Sequence, residues 1–472
     1  MRRICIIGAG AAGLCAAHHV TLLSGPASAV PVLFEQTGSV GGTWVYNDKT
    51  GVDEHGRPIH SSMYKYMKTN LPKEVMGFPD FPFWIDGPSF IHHSEVLRYL
   101  KLYAEHYKLI KYIKFRTAVL SVRPLDWQSA VVAGTECHRS SNLTPRWTVT
   151  SRSLETGTEE TSNFDAVFVC NGHYSKPYFP PIDGISTFTG RILHSHDYRC
   201  PEVFAGQLIA CLGAGPSGTD IVLELSKHAD HIYLCHNTLP LKSPLPSNVT
   251  QTAGIQSLSE RKATLFDGTT LDRPLNCLLL CTGYEYSYPF LNLKRQHNDM
   301  DFKAGEKSTV HPVLPIQVLE NGHCIYPLYE HLFHPELQNL FFVGLLSTVI
   351  PFPIFDTQIR YCIQLLCGGI VLPDVIEMFR SIEQELDVRQ RVHGYSLRKA
   401  HCMRGPLQWD YVCRICHLGL MENKIPPVIS TLYDAVHAER SVNLVGYKAK
   451  IYRIASRERY LPIRNEMGHA KI

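Results

Sequence analysis

The stretch RICIIGAGAAG, residues 3–13, decides the fold of this chain. Its first five residues, Arg3 to Ile7, form a short β-branched run that predicts a buried strand. Three glycines follow at the spacing of a phosphate-binding turn: Gly8, Gly10 and Gly13. In such a turn the first glycine makes the bend, the second lets a pyrophosphate approach the backbone, and the third lets the next helix pack closely. That helix begins at Ala11 and Ala12, and its first N–H groups can bind phosphate.

An acidic residue stands where a bound ribose would lie. The run Val30 to Phe34 predicts a second strand, which ends at Glu35 and Gln36. Glu35 follows Gly13 by 22 residues, the distance at which a carboxylate bonds ribose hydroxyls. The glycine pattern alone would also fit a plain tight turn. The order of strand, turn, helix and acid favours a dinucleotide site.

The same pattern recurs in the second half of the chain. Leu208–Leu212 predicts a strand, and His231–Cys235 predicts the next one. The turn and helix start between them contain Gly213, Gly215, Pro216, Ser217 and Gly218. The two turns lie 205 residues apart, too far to hold one nucleotide, so two dinucleotides are expected. Two dinucleotides in one chain indicate electron transfer between them.

The predicted fold class is α/β, with two dinucleotide-binding domains of the Rossmann type. The second lies inside the chain, so we expect a smaller dinucleotide-binding domain inserted in a larger, discontinuous one. The predicted bounds are 1–178 and 313–472 for the discontinuous domain and 179–312 for the inserted domain. Leu340–Gly344 predicts a strand that returns to the first sheet. Two polar pairs, Asn171-Gly172 and Thr282-Gly283, end apolar strands where a ligand crevice is expected.

The composition excludes several classes of protein. The chain has 472 residues, a net charge of +3 and no basic run, so nucleic acid is not an expected partner. Its 15 cysteines are scattered through apolar segments, which is typical of a reduced, cytoplasmic protein. Cys413 and Cys416 lack a second pair, which favours helical packing, and no metal site is expected. No segment reaches the ~18 uncharged apolar residues of a membrane span, so no integral anchor is expected. Peripheral association with the endoplasmic reticulum stays open.

The stretch VGGTWVY, residues 40–46, contains no thiol where flavin disulfide reductases place their reactive cysteines. No cysteine occurs between Cys15 and Cys137. A bound cofactor is therefore expected to carry the chemistry, while the protein binds it, orients it and excludes water.

The chain resembles the flavin-containing monooxygenases along nearly its whole length. Their signature F-x-G-x-x-x-H-x-x-x-[FY] is matched by Phe188, Gly190, His194 and Tyr198. Tyr198 speaks against Baeyer–Villiger monooxygenases, whose related motif usually ends in Trp. His194 is interpreted as a core residue. Further segments that look like the family are Gly41–Trp44, Thr69–Glu74, Phe78–Phe83, Cys281–Tyr284 and Ile350–Gln358. The last of these resembles the fungal and insect-like branch.

The resemblance implies FAD and NADPH as cofactors and O2 as co-substrate. It makes the discontinuous domain, 1–178 and 313–472, the FAD-binding domain and the inserted domain, 179–312, the NADPH-binding domain. NADPH would reduce FAD, and the reduced flavin would capture O2 as a C4a-hydroperoxide that oxygenates soft nucleophiles, amine nitrogen or thioether sulfur. Xenobiotics or alkaloids would be the substrates, and a homodimer is a guess from the family. Two alternatives keep the cofactors: an NADPH oxidase that releases H2O2, and Baeyer–Villiger oxygenation of ketones. A catalytically silent FAD-binding protein is a third, although neither turn is damaged.

The resemblance also assigns site residues. Asn70 matches the Asn whose amide contacts the flavin edge and the nicotinamide, so it is the predicted catalytic residue. The alternative is a loop Asn bonded to its own backbone. The other residues expected at the cofactor are Gly42, Thr43, Trp44, Thr69 and Gln358. For Gln358 the alternative is a surface or helix-cap residue.

One position departs from the family. Many members carry an Arg after the strand His231–Cys235 that pairs with the 2′-phosphate of NADPH, and this chain has Asn237 there. Asn cannot supply the charged, bidentate contact of Arg. Either Lys242 or His236 substitutes for it, or the preference for NADPH over NADH is weakened. No acid at the strand end favours NADH, so NADPH remains the expected cofactor.

Overall fold

The computed structural model describes residues 1–125, 146–271, 273–291 and 316–463. The strands in these residues are β1 (Arg2–Ile7), β2 (Ala29–Phe34), β3 (Ile113–Lys114), β4 (Thr117–Pro124), β5 (Trp147–Ser153), β6 (Glu159–Phe164), β7 (Ala166–Val169), β8 (Lys176–Pro177), β9 (Arg191–His194), β10 (Leu208–Leu212), β11 (His231–Cys235), β12 (Val249–Thr252), β13 (Ile255–Ser259), β14 (Lys262–Leu265), β15 (Thr270–Leu271), β16 (Cys277–Leu280), β17 (Tyr284–Glu285), β18 (Gln317–Leu319), β19 (Cys324–Tyr326), β20 (Phe333–His334), β21 (Leu337–Phe342), β22 (Ile451–Ile454) and β23 (Tyr460–Ile463). The α-helices are α1 (Ala11–Thr21), α2 (Lys73–Met76), α3 (His93–His106), α4 (Pro216–Leu225), α5 (Pro351–Leu366), α6 (Val375–Arg391), α7 (Pro406–Leu418) and α8 (Pro427–Val442).

The chain divides into two compact units, and each is discontinuous in sequence. The first contains residues 1–42, 99–173 and 286–424, and the second contains 43–98, 174–285 and 425–472. The predicted boundary at 178/179 lies five residues from the observed division at 173/174. The predicted boundary at 312/313 lies outside the described residues. The predicted domains are defined by the nucleotide that each would hold, so their bounds remain a prediction.

The first unit is built on a six-stranded sheet in the order β20-β21-β7-β1-β2-β3. All its pairs are parallel except β20 with β21. The strand predicted at Leu340–Gly344 does return to this sheet, as β21 beside β7. Strands of a parallel sheet are covered on both faces, which is why β7 reads AVFV and all four of its residues are buried. A three-stranded antiparallel sheet, β4-β5-β6, belongs to the same unit.

The second unit is built on a five-stranded sheet in the order β12-β11-β10-β16-β9. Every pair in it is parallel. Its central strands, LIACL in β10 and CLLL in β16, are apolar for the same reason as β7. The fold class predicted from the two glycine turns, α/β with two Rossmann-type units, is therefore confirmed.

No helix in the described part of the chain is long and apolar enough to cross a membrane.

Candidate functional site

The first glycine turn joins β1 to α1 and has no room for side chains. Gly8 has a φ of +101°, and a Cβ there would lie 2.6 Å from the carbonyl oxygen of Cys170. A Cβ on Gly13 would lie 1.8 Å from the carbonyl oxygen of Gly8. Only glycine satisfies both positions, because any larger residue would push the helix away from the strand.

The stretch 40–42 crosses this turn from the other side. The Gly41 N–H donates to the carbonyl oxygen of Ala9 at 3.0 Å. Gly42 has a φ of +55°, and a Cβ there would lie 3.1 Å from the Cα of Gly10. Gly10 is thus approached by backbone and not by a side chain, which keeps the turn narrow. The sequence assigned Gly42 only through the family resemblance; the glycine pair itself was the physical signal for this close approach.

Glu35 lies at the end of β2 and holds the turn. It is only 5% exposed. One carboxylate oxygen accepts the Ala9 N–H at 2.9 Å, and the other accepts the N–H and the hydroxyl of Thr37 at 2.8 Å. Gln36 beside it is half-buried. These bonds fix the carboxylate at the strand end where the ribose contact is predicted; that contact itself remains a prediction.

The second glycine turn joins β10 to α4 and repeats this construction. A Cβ on Gly213 would lie 2.4 Å from the carbonyl oxygen of Cys281, and one on Gly218 would lie 1.9 Å from that of Gly213. At Gly215, in contrast, a Cβ would meet nothing within 4 Å. Pro216 is exposed and Ser217 is half-buried. Space therefore opens at the glycine where a pyrophosphate would approach.

The starts of α1 and α4 are suited to anions. Neither helix has a side-chain cap or an acidic residue in its first turn. Their first N–H groups, for Ala11 and Ala12 in α1 and Ser217 in α4, are thus not occupied by a capping side chain. A helix start with this arrangement binds phosphate through N–H groups and the helix dipole. Both turns fit the dinucleotides that the sequence predicts.

The signature segment forms a structural clamp within the second unit. His194 accepts the backbone N–H of His196 at Nδ1 (3.0 Å), so its proton lies on Nε2, which donates to the carbonyl oxygen of Gly283 (3.1 Å). Burial lowers the pKa of His194 to about 4. The hydroxyl of Tyr198 donates to Glu224 on α4 at 2.6 Å. The observed bonds agree with the interpretation of His194 as a core residue and give it no role as a base.

Asn70 lies in a loop, and the residue before it, Thr69, is held by hydrogen bonds. The N–H of Thr69 donates to the carbonyl oxygen of Ile91 at 2.9 Å, and its hydroxyl accepts the N–H of Ile91 at 3.2 Å. Thr69 is 2% exposed, whereas Asn70 is half-buried. The Asn70 amide makes no hydrogen bond with any described residue, and the alternative of a bond to its own backbone is not observed. The amide is available to a ligand.

Thr43 and Trp44 lie in the second compact unit, as Asn70 does. The carbonyl oxygen of Thr43 accepts the hydroxyl of Ser61 at 2.8 Å. The hydroxyl of Thr43 is buried and has no hydrogen-bond partner among the described residues. A buried hydroxyl without a partner costs free energy, so a polar ligand atom would stabilise it. Trp44 is half-buried.

Gln358 lies in the middle of α5, so the alternative of a surface or helix-cap residue does not hold. It has no exposed surface. Its Oε1 accepts the N–H of Gly344 at 3.3 Å, and its Nε2 donates to the hydroxyl of Tyr411 at 2.9 Å. The carbonyl oxygen of Gly344 accepts from Nδ1 of His173 at 2.7 Å. In this geometry Gln358 supports the end of β21 through Gly344, and its contact with a flavin remains a prediction.

Tyr411 and His173 are the residues that sequence reasoning missed at this strand end. The Tyr411 hydroxyl also donates to the carbonyl oxygen of Glu330 at 3.0 Å, and Tyr411 is buried. Burial lowers the pKa of His173 to about 4. Tyr411 lies 53 residues from Gln358 and His173 lies 171 residues from Gly344, so no local pattern could have linked them.

One buried group of the described residues has the composition of a metal site: Cys15, His19 and Asp356. Nε2 of His19 lies 2.7 Å from one oxygen of Asp356, a direct hydrogen bond. Nη1 of Arg360 lies 3.7 Å from the other oxygen. This carboxylate joins α1 to α5. Its second oxygen faces the Arg360 guanidinium without a hydrogen bond, and that positive charge disfavours a cation there.

Comparison with known proteins identifies relatives. The family model described as "FMO-like: Flavin-binding monooxygenase-like" matches residues 1–239 and 237–465. The chain is 32% identical to flavin-containing monooxygenase FMO GS-OX5 of Arabidopsis thaliana over 87% of this chain and 83% of that protein. It is 33% identical to FMO GS-OX-like 4 of the same plant over 86% and 85%. These plant relatives do not support the fungal and insect-like branch predicted from residues 350–358.

Solved structures agree on the fold. The S-allyl-L-cysteine S-oxygenase of Allium sativum matches with a TM-score of 0.77 and 28% identity, covering 95% of this chain and 94% of that one. Tmm of Pelagibacter sp. strain HTCC7211 matches with a TM-score of 0.74 and 24% identity, covering 94% and 92%. The second likeness concerns the fold alone.

Proposed function

The chain belongs to the flavin-binding monooxygenase-like family, and from this premise we propose that it oxygenates a soft nucleophilic sulfur or nitrogen atom of a small molecule. The observation that carries the proposal is the presence of two intact glycine turns in one chain, each with positions that only glycine can occupy. One turn suits a redox cofactor and the other its reductant, which is the minimum that a flavin monooxygenase requires.

Its cofactors are FAD and NADPH, as the sequence predicts. We assign FAD to the first turn and Glu35, and NADPH to the second turn and the start of α4. When bound, FAD supplies the oxygen-activating chemistry and NADPH supplies the hydride. The protein contributes binding, orientation and exclusion of water.

Asn70 is the side chain that we propose beside the reacting atoms. Its amide is both donor and acceptor, and it has no acidic proton at neutral pH. It can therefore hold an oxygen atom in place without protonating it. The lack of any partner for this amide among the described residues supports the proposal, because it leaves the amide able to bond a ligand.

Sulfur is the better-supported target atom. The S-oxygenase of Allium sativum is similar to this chain over nearly its full length. Thioethers and tertiary amines are both soft nucleophiles, so the same site chemistry suits either. The predicted xenobiotic or alkaloid role rests on the family resemblance alone.

Product analysis tests the proposal. FAD-loaded protein would be given NADPH, O2 and one probe at a time: an S-alkyl cysteine, N,N-dimethylaniline or cyclohexanone. We expect sulfoxide, and less N-oxide, in amounts that match the NADPH consumed. H2O2 equal to the NADPH consumed, with every probe unchanged, would show an NADPH oxidase instead. Lactone from the ketone would show Baeyer–Villiger oxygenation.

A further inference from the structure

The connection after β11 has an unusual charge pattern. Residues 231–259 contain no Asp, Glu or Arg, and Lys242 is their single lysine. In a parallel sheet of this kind the carboxyl end of the second strand faces the adenosine ribose. A carboxylate that would bond a free 2′-hydroxyl is therefore absent from this segment, and one positive charge, on Lys242, is present.

The side chain of Asn237 is hydrogen-bonded within the protein. Its Oδ1 accepts the backbone N–H of Gly254 at 2.9 Å. A Cβ on Gly254 would lie only 2.5 Å from that oxygen, so the amide sits tightly against the Gly254 backbone. Asn237 thus holds the turn before β13 and carries no charge for a phosphate.

The side chain of His236 is also hydrogen-bonded within the protein. Nε2 of His236 lies 3.2 Å from Oε1 of Gln251, and the hydroxyl of Thr238 lies 2.9 Å from its Nδ1. The same Oε1 accepts the N–H of Leu241 at 2.8 Å, which fixes the orientation of the Gln251 amide. The proton of His236 is therefore on Nε2, and Thr238 donates to Nδ1. Both ring nitrogens of this buried histidine are used.

Lys242 is held at the same end of the sheet by its neighbours. The Gln251 amide, near the carboxyl end of β12, bonds both the N–H and the carbonyl oxygen of Leu241. On the other side, the buried Ser243 hydroxyl accepts the N–H of Leu444 at 2.8 Å. The backbone is thus fixed before and after Lys242, while its side chain is exposed and forms no ion pair with a described residue.

We infer that Lys242 binds the 2′-phosphate of NADPH and is the residue that sets the preference for NADPH over NADH. The inference rests on the proposed function, because it assigns NADPH to the second glycine turn. An ammonium group is a point charge without the fork geometry of a guanidinium. The preference should therefore be moderate and should weaken with salt.

Two ligands that differ only at the 2′ position test this inference. Adenosine 2′,5′-bisphosphate and adenosine 5′-monophosphate would be titrated into FAD-loaded protein by calorimetry. We expect the bisphosphate to bind at least ~10-fold more tightly, the scale of one charge-assisted hydrogen bond. Lys242→Met keeps the alkyl chain and should remove most of that ratio without changing the affinity for the monophosphate. The matched control is Lys262→Met, at an exposed position on β14, which should keep the ratio.

Each outcome decides between defined alternatives. If Lys242→Met keeps the wild-type ratio, or if His236→Gln alone removes it, the inference is wrong. If the wild-type protein binds both ligands equally, the inference is wrong but the proposed function survives with relaxed cofactor choice. If neither ligand binds, the second turn is not a nucleotide site, and the proposed function fails together with the inference.

Discussion

Single residues at the proposed site differ in what their polar atoms are already bonded to. The amides of Gln358 and Asn237 are used within the protein, whereas the amide of Asn70 is not. The sequence alone could not separate them, because all three are uncharged amides and their types do not reveal what they bond to. Bonding partners are a tertiary property, and the partners of Gln358 lie 14 and 53 residues away.

Asn70→Ala is expected to uncouple the enzyme. Flavin reduction by NADPH should proceed, because both glycine turns are intact, while sulfoxide formation falls at least ~10-fold, typical for loss of a preorganised polar contact. H2O2 should rise to match the NADPH consumed. The measurement is the ratio of sulfoxide to H2O2 with an S-alkyl cysteine.

A neighbouring exposed side chain provides the control for Asn70. Lys68→Ala should keep the wild-type ratio of sulfoxide to H2O2. If Asn70→Ala also keeps it, Asn70 has no role at the reacting atoms and is a plain loop residue.

At the scale of elements, the strands and turns were predictable because they are local. β10 and β11 begin and end at the predicted residues, and β1 and β2 begin one residue earlier than predicted. Which nucleotide each segment helps to hold remains a prediction, but residues 43–98 and 425–463 pack in the second compact unit. Such packing depends on surfaces far apart in sequence, and no periodicity or spacing records it.

At Gly215 in the second glycine turn, one substitution should affect NADPH binding without lowering the free energy of unfolding. Gly215 has an ordinary φ of −72° and open space around it. Gly215→Ala should leave the free energy of unfolding unchanged or raise it by up to ~1 kcal/mol, because the unfolded chain loses freedom. The added methyl group should nonetheless weaken NADPH binding at least ~10-fold by obstructing the pyrophosphate. Urea unfolding and NADPH titration measure the two effects.

Gly218→Ala is the contrasting variant at the same turn. Its Cβ would lie 1.9 Å from a carbonyl oxygen, so the strand and helix must separate. We expect a loss of ~1–3 kcal/mol in unfolding free energy, the range for overpacking. Equal stability loss in Gly215→Ala would contradict the assignment of open space there.

At the scale of the whole molecule, buried neutral histidines set the response to acid. Burial lowers the pKa of His194 to about 4 and that of His401 well below its usual value. In the unfolded chain such a group takes up its proton near pH 6.5, before it does so in the folded protein. Stability is therefore full above about pH 6.5 and falls as the pH drops toward 4, by up to ~1.4 kcal/mol per pH unit for each group.

One carboxyl group opposes this trend. Burial raises the pKa of Glu224 to about 7, so its contribution to stability falls as the pH rises from 4.5 to 7. Urea unfolding of the FAD-loaded protein at pH 5.0, 6.0 and 7.0 measures the net slope. His194→Gln should flatten it, while His228→Gln, at an exposed position, should not. An unchanged slope in His194→Gln would mean that other groups control acid stability.

The order of strands in the two sheets also determines when each sheet can form during translation. The second sheet is complete once residue 280 has left the ribosome, but the first must wait for β21, which ends at Phe342. At about 5–20 residues per second, β1 waits roughly 17–67 s for that strand. During this time the apolar edge of β7 has no partner strand. An unpaired edge can aggregate with other chains, so the nascent protein would benefit from a chaperone. Chains stalled after residue 330 should protect the second sheet from protease and leave the first sheet open to cleavage.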